Sequence, residues 1–110
     1  MSTQHAGLAA GRWALLPFCE QMAHIGGEVE RAVAWRAKDY AAYGRQAGER
    51  ALELLDLALD SAGTLPRAKE LARLREALVD DFFGANHYHS TDAAWRSYFE
   101  CFTYAARRDR

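Results

Sequence analysis

Apolar residues recur three and four positions apart along four stretches of this chain, the spacing that gathers them on one face of an α-helix. The most regular stretch is Leu65–Phe83, where Ala68, Leu71, Leu74, Leu78, Val79 and Phe82 cover one side of the helical wheel. Thr64 stands where a helix N-cap is needed, Pro66 falls in the first turn, and Gly84 is placed to end the helix in a left-handed conformation. Upstream, Phe18, Met22, Ile25, Val29, Ala32 and Val33 form the stripe of a helix from about Pro17 to Lys38. A turn over Lys38–Tyr43, with Asp39 able to cap, leads to a second helix ending near Ser61. Its inner face is Ala51, Leu52, Leu55, Ala58 and Leu59; Gly44 and Gly48 weaken its first turns, so its firm part is expected from Glu49. The last helix, Asp92 to about Arg107, capped by Ser90 or Thr91, groups Trp95, Tyr98, Phe99 and Phe102 with Ala94, Ala105 and Ala106. No stretch alternates with a period of two. The pattern predicts an all-α fold, an antiparallel four-helix bundle forming a single domain over residues 13–110, after a loose N-terminal segment at 1–12 that lacks periodicity.

Two features do not fit a plain bundle. Arg75 falls near the middle of the apolar side of its helix, and a guanidinium is rarely buried without a partner. On the first long helix, His24, Glu28 and Arg31 follow one another at four and three residues and share a strip with Gln21 and Trp35 that flanks the apolar arc. Glu28 is therefore the expected partner of Arg75, through a bidentate pair. One reading makes this pair a fixer of register. The other makes His24, Glu28, Arg31, Trp35 and Arg75 the lining of a polar crevice for an anionic or planar ligand.

Further residues bear on association. Gly26-Gly27 inside a helix points to a close helix contact, helped by Ala23, Ala34 and Ala37. Leu54 and Leu57 spread the apolar arc of the second helix beyond half its circumference, the mark of a central helix or an oligomer interface. A homodimer is expected, through the Ala23/Gly27/Ala34 arc or the Leu54/Leu57 edge. The acidic strip Glu49, Glu53, Asp56 and Asp60 repels itself and asks for a cationic neighbour, whether the arginine-rich tail or a basic protein partner.

Composition narrows the function classes. A chain of 110 residues suffices for one core, and its net charge of −1 exerts no general pull on nucleic acid or an anionic membrane. No apolar run approaches the ~20 residues of a membrane span, and the N-terminus lacks a signal-peptide pattern, so a cytoplasmic location is expected. Cys19 and Cys101 form no CxxC pair and read as small buried hydrophobes. No cofactor or metal is expected. His87 and His89 could chelate a surface ion from their loop, but Glu-x-x-His, the signature of di-iron bundles, is absent. No arginine stands at the short upstream distance from a histidine that small helical RNA-cleaving toxins require. Phosphate-loop, nucleophile-elbow and Rossmann signatures are missing too, and the balance leans away from an enzyme. The segments MAHIGGEVERAVAWR, ERALELLDLAL and RLREALVDDFFGANHYHST resemble a small all-helical family of uncharacterised bacterial proteins. That resemblance implies a helical fold and assigns no activity or residue role.

Overall fold

The computed structural model describes residues 8–108, with side chains from Gly11 onward. Five helices follow one another: α1 (Leu8–Leu15), α2 (Phe18–Ala37), α3 (Ala41–Asp60), α4 (Leu65–Phe83) and α5 (Asp92–Arg108). Among the described residues there is no strand, and no helix is long and apolar enough to cross a membrane.

Local chemistry sets several of these ends. The Thr64 hydroxyl accepts the Arg67 N–H at 3.4 Å, Pro66 occupies the first turn of α4, and Gly63 takes a φ of +76° ahead of it. Thr91 likewise accepts the Ala94 N–H at 3.0 Å and starts α5.

Three expectations fail at element ends. Helix α1 occupies part of the segment read as loose; residues 1–7 lie outside the described part. Trp13 is buried, and the Gln21 amide donates to the carbonyls of Trp13 at 2.9 Å and Leu16 at 3.3 Å, so tertiary contacts hold a helix too short to stand alone. Helix α3 begins at Ala41 rather than Glu49, with Tyr40 and not Asp39 at its N-cap. Its glycines are buried contact points, Gly44 against the backbone of Ala32 and Gly48 against the Phe83 ring, and packing there outweighs their low helix propensity. Gly84 is extended (φ −124°) rather than left-handed. The turn after α4 closes instead through the Asn86 N–H on the Asp80 carbonyl at 2.9 Å, with positive φ at Asn86 and His89. The Asp80 carboxylate accepts the N–H groups of His87 and Tyr88, and the Asn86 side chain bonds both backbone groups of Ser90. The loop is thus laid down on the end of α4.

The core combines Met22, Ile25, Val29 and Val33 of α2, Ala51, Leu54, Leu55 and Ala58 of α3, Leu71, Leu74 and Leu78 of α4, and Trp95 and Phe99 of α5. Helix α2 packs on α3 and α5, while α3 also receives α4 and α1. Three neighbours explain the wide apolar arc of α3. Leu54 is only 6 % exposed and belongs to this core, so the proposed Leu54/Leu57 dimer edge does not exist as an exposed surface.

The close approach in the Gly26-Gly27 pair belongs to Gly26. A β-carbon there would lie 2.8 Å from Cβ and Cγ of Phe99, the near end of that side chain, whereas one on Gly27 would meet nothing within 4 Å. Gly27→Ala should gain up to about 1 kcal/mol from helix propensity. Gly26→Ala gains the same propensity but incurs an overpacking cost of about 1–3 kcal/mol. Urea denaturation should therefore rank Gly26→Ala below Gly27→Ala by at least about 1 kcal/mol; equal stabilities would show that Phe99 yields freely.

A candidate binding groove between α4 and α5

The residues expected to line a polar crevice do not converge. Arg75 is 40 % exposed in its side chain and donates through Nε to Asp56 at 2.8 Å, not to Glu28. Glu28 accepts from Arg50 Nε at 2.8 Å and from Arg31 Nη1 at 2.6 Å. The physical reason is the position of α3, which carries α2 on one side and α4 on another. Glu28 thus lies on the α2–α3 seam and Arg75 on the α3–α4 seam. Asp56 belongs to the acidic strip of α3, so Arg75 is a cationic neighbour of that strip. Of the arginine-rich tail, also expected in that role, Arg107 and Arg108 are exposed at the end of α5 and Arg110 lies outside the described residues. His24 is exposed with its ring 6.0 Å from that of Trp13. Trp35 sits about 16 Å further along α2, where its ring meets Tyr40 and Tyr43 at 5.5 and 4.9 Å. His87 and His89 are exposed, and among the described residues no three His, Cys, Asp or Glu side chains come together as a metal set would.

A partly buried polar cluster does exist, around a different arginine. Asp81, 5 % exposed in its side chain, accepts from Arg36 Nη1 at 3.0 Å, Arg36 Nη2 at 3.3 Å and Trp95 Nε1 at 2.7 Å. Arg36 Nη2 also donates to Asp92 at 2.8 Å, and its guanidinium lies 4.2 Å from the centre of the Phe82 ring. Burial acts to lower the Arg36 pKa, but the hydrogen bonds to Asp81 and Asp92 outweigh it and hold the pKa above its ordinary value. The cluster joins α2, α4 and α5 and leaves the indole of Trp95 in one orientation.

That orientation matters because Trp95 is one wall of a groove of about 660 Å³ between α4 and α5. Leu74, Ala77 and Ala94 supply its apolar floor, and Tyr98 continues the aromatic wall. Pro66 and Ser90 mark two ends of its outline, and Lys69, Glu70 and Arg73 form its polar edge along α4. Tyr98 reaches across and donates to Glu70 Oε1 at 2.8 Å. Burial, reinforced by this bond to a carboxylate, pushes the Tyr98 pKa upward, so the phenol keeps its proton at neutral pH and serves as a donor rather than a base. The size falls within the ~300–1,000 Å³ range of small-molecule sites.

The groove leaves no mark on either helical wheel, although its aromatic wall belongs to the stripe that the sequence directs to the core from the last helix. The signal for the polar cluster was present. Arg36 lies seven residues after Val29 and three after Val33, at the centre of the α2 stripe, and Asp81 lies seven after Leu74. No protein-family model, no curated protein and no solved structure matches the chain.

Removing the Asp81 carboxylate leaves the Trp95 N–H without an acceptor and Arg36 with Asp92 alone. Asp81→Ala should cost about 2–3 kcal/mol, below the full value for a sealed pair because Arg36 remains partly solvated. Asp81→Asn keeps an acceptor for Trp95 and should cost about half of that. Urea denaturation of both variants tests the tie; wild-type stability of Asp81→Ala would dismiss it.

Proposed function

We propose that this chain is a non-enzymatic binding module, an antiparallel four-helix bundle of α2–α5 in which the α4–α5 groove receives an apolar occupant. The order of cross-helix contacts supports the antiparallel reading. Arg36 with Asp92, Glu30 with Arg96 and Gly26 with Phe99 descend along α2 as they ascend along α5. Glu28 with Arg50 and Ala32 with Gly44 run in opposite directions along α2 and α3, and Gly48 with Phe83 and Asp56 with Arg75 do so along α3 and α4. The observation that carries the binding reading is the groove itself: an apolar floor and an aromatic wall that no other element of the described chain covers. Two free thiols, Cys19 half-buried and Cys101 exposed, suit a reducing, cytoplasmic setting.

A neutral dye tests the groove without regard to charge. Nile red should bind the wild-type protein with a blue-shifted, enhanced emission. Ala94→Trp, which places an indole at an exposed α5 position facing the groove, should keep the helical circular dichroism and lose most of the enhancement. Unchanged dye binding in that variant would remove the groove as the site.

Self-association is the second reading, moved to a different surface. Trp35, Tyr40 and Tyr43 touch one another at the α2–α3 turn while Tyr40 and Tyr43 remain 53 % and 52 % exposed, an aromatic patch of the kind that anchors interfaces. Light scattering at tens of micromolar should give a dimer mass for wild type and a monomer mass for Tyr40→Ala/Tyr43→Ala. A wild-type monomer would dismiss this reading and leave the groove untouched.

A further inference from the structure

We propose that the occupant of the α4–α5 groove is a small amphipathic anion, a single carboxylate on an unbranched apolar chain, with its head on Lys69 and Arg73 and its tail over Ala77 and Leu74. This deepens the groove reading and rests on it.

The charges at the edge carry the inference. Arg31, Arg36, Arg50, Arg75 and Arg96 each hold a carboxylate within ion-pair distance. Arg45 and Arg67 lie instead over the Phe83 and Phe18 rings. Lys69 and Arg73 do neither: both are exposed, both line the groove, and no carboxylate of the described chain pairs with them. Spaced four residues apart, they present their charges one helical turn from each other on the same side of α4. Glu70, the carboxylate in the same lining, is turned across the groove to the Tyr98 hydroxyl. Two cations without an ion-pair partner outnumber the one carboxylate of the edge, so the edge of this apolar trough is net positive; it complements an anion with an apolar body and opposes a cationic amphiphile.

Geometry sets the length. Lys69, Arg73 and Ala77 follow one line of α4 at four-residue intervals, which is about 12 Å from first to last. An extended alkyl carboxylate of medium chain length spans that distance. Its alkyl chain would lie on Leu74, Ala77 and Ala94 and against Trp95, where each methylene removed from water contributes about the usual transfer free energy. The fixed indole and the protonated Tyr98 bound the trough on the α5 side, so the head faces α4.

The test uses the full chain and three ten-carbon probes below their micelle concentrations: decanoate, decanol and decyltrimethylammonium, titrated by calorimetry and by tryptophan fluorescence. Decanoate should bind about tenfold more tightly than decanol, the cation should bind most weakly, and the preference should shrink as salt is raised. Lys69→Ala/Arg73→Ala, altered only at exposed positions, should bind decanoate no better than decanol while keeping Nile red. Ala94→Trp should lose decanoate and Nile red together. Equal binding of the three probes, or a double variant that keeps the decanoate preference, would overturn the anion assignment with the groove still standing. Decanoate binding that survives Ala94→Trp would place the anion elsewhere and overturn the proposal. Failure of wild type to bind either Nile red or decanoate would overturn the groove reading itself.

Discussion

The charge pair between Arg36 and Asp81 decides how the last two helices sit on α2. Arg36 lies at the centre of the apolar stripe of α2 with its side chain only partly solvated, so its guanidinium gains from a fixed acceptor. Asp81 supplies two contacts to it and takes the Trp95 N–H with a third. A carboxylate placed to serve both donors can do so only with the end of α4 and the start of α5 brought together over α2. Buried pairs of this kind add little stability over a well-packed apolar alternative, and their worth lies in the arrangement they specify. Here that arrangement is convergence of three helices at one end.

Away from that end, α4 and α5 have different allegiances. Phe99 lies directly on Gly26, so α5 comes close to α2. Phe83 lies on Gly48, which draws α4 toward α3. In each case a missing β-carbon lets an aromatic ring approach a helix backbone, and the two approaches pull α4 and α5 toward different partners. The polar ties recorded between α4 and α5 are Trp95 with Asp81 and Tyr98 with Glu70. The groove is the space these constraints leave, bounded by the same residues that create it.

The fold was more legible than the site because its signals are local. The bounds of α4 follow from Thr64, Pro66 and the stripe through Leu71, Leu74 and Leu78, all contained within twenty-odd residues. Helix α1 was invisible because it depends on the burial of Trp13 and the reach of Gln21, contacts made outside its own eight residues. A helical wheel gives the direction in which a side chain leaves its helix and not the identity of the helix it meets. The wheel of α4 therefore asks for a partner to Arg75 on another helix, which Asp56 supplies, and does not distinguish Asp56 from Glu28. The wheel of α2 places Arg36 nearer the middle of its stripe than Arg75 is of its own; attention to that centrality would have located the buried charge. A groove is harder still, since it is set by what two helices fail to cover, and the sequence of either helix alone carries no record of the gap.

An open seam beside a complete core separates two demands that would otherwise compete. Met22, Ile25, Leu55 and Leu71 are fully buried without help from the α4–α5 contact, so the chain can hold its fold while that seam stays apart. Closing the seam would bury more apolar area from Ala77 and Ala94 and gain on the order of 25 cal/mol for each Å² removed from water. It would also bring Lys69 and Arg73 toward the apolar wall of Trp95 and strip them of solvent, with Glu70 already engaged by Tyr98. The cationic edge therefore opposes collapse of the groove as well as selecting what enters it. An occupant carrying its own negative charge resolves both terms at once, covering the floor while giving the two cations a partner.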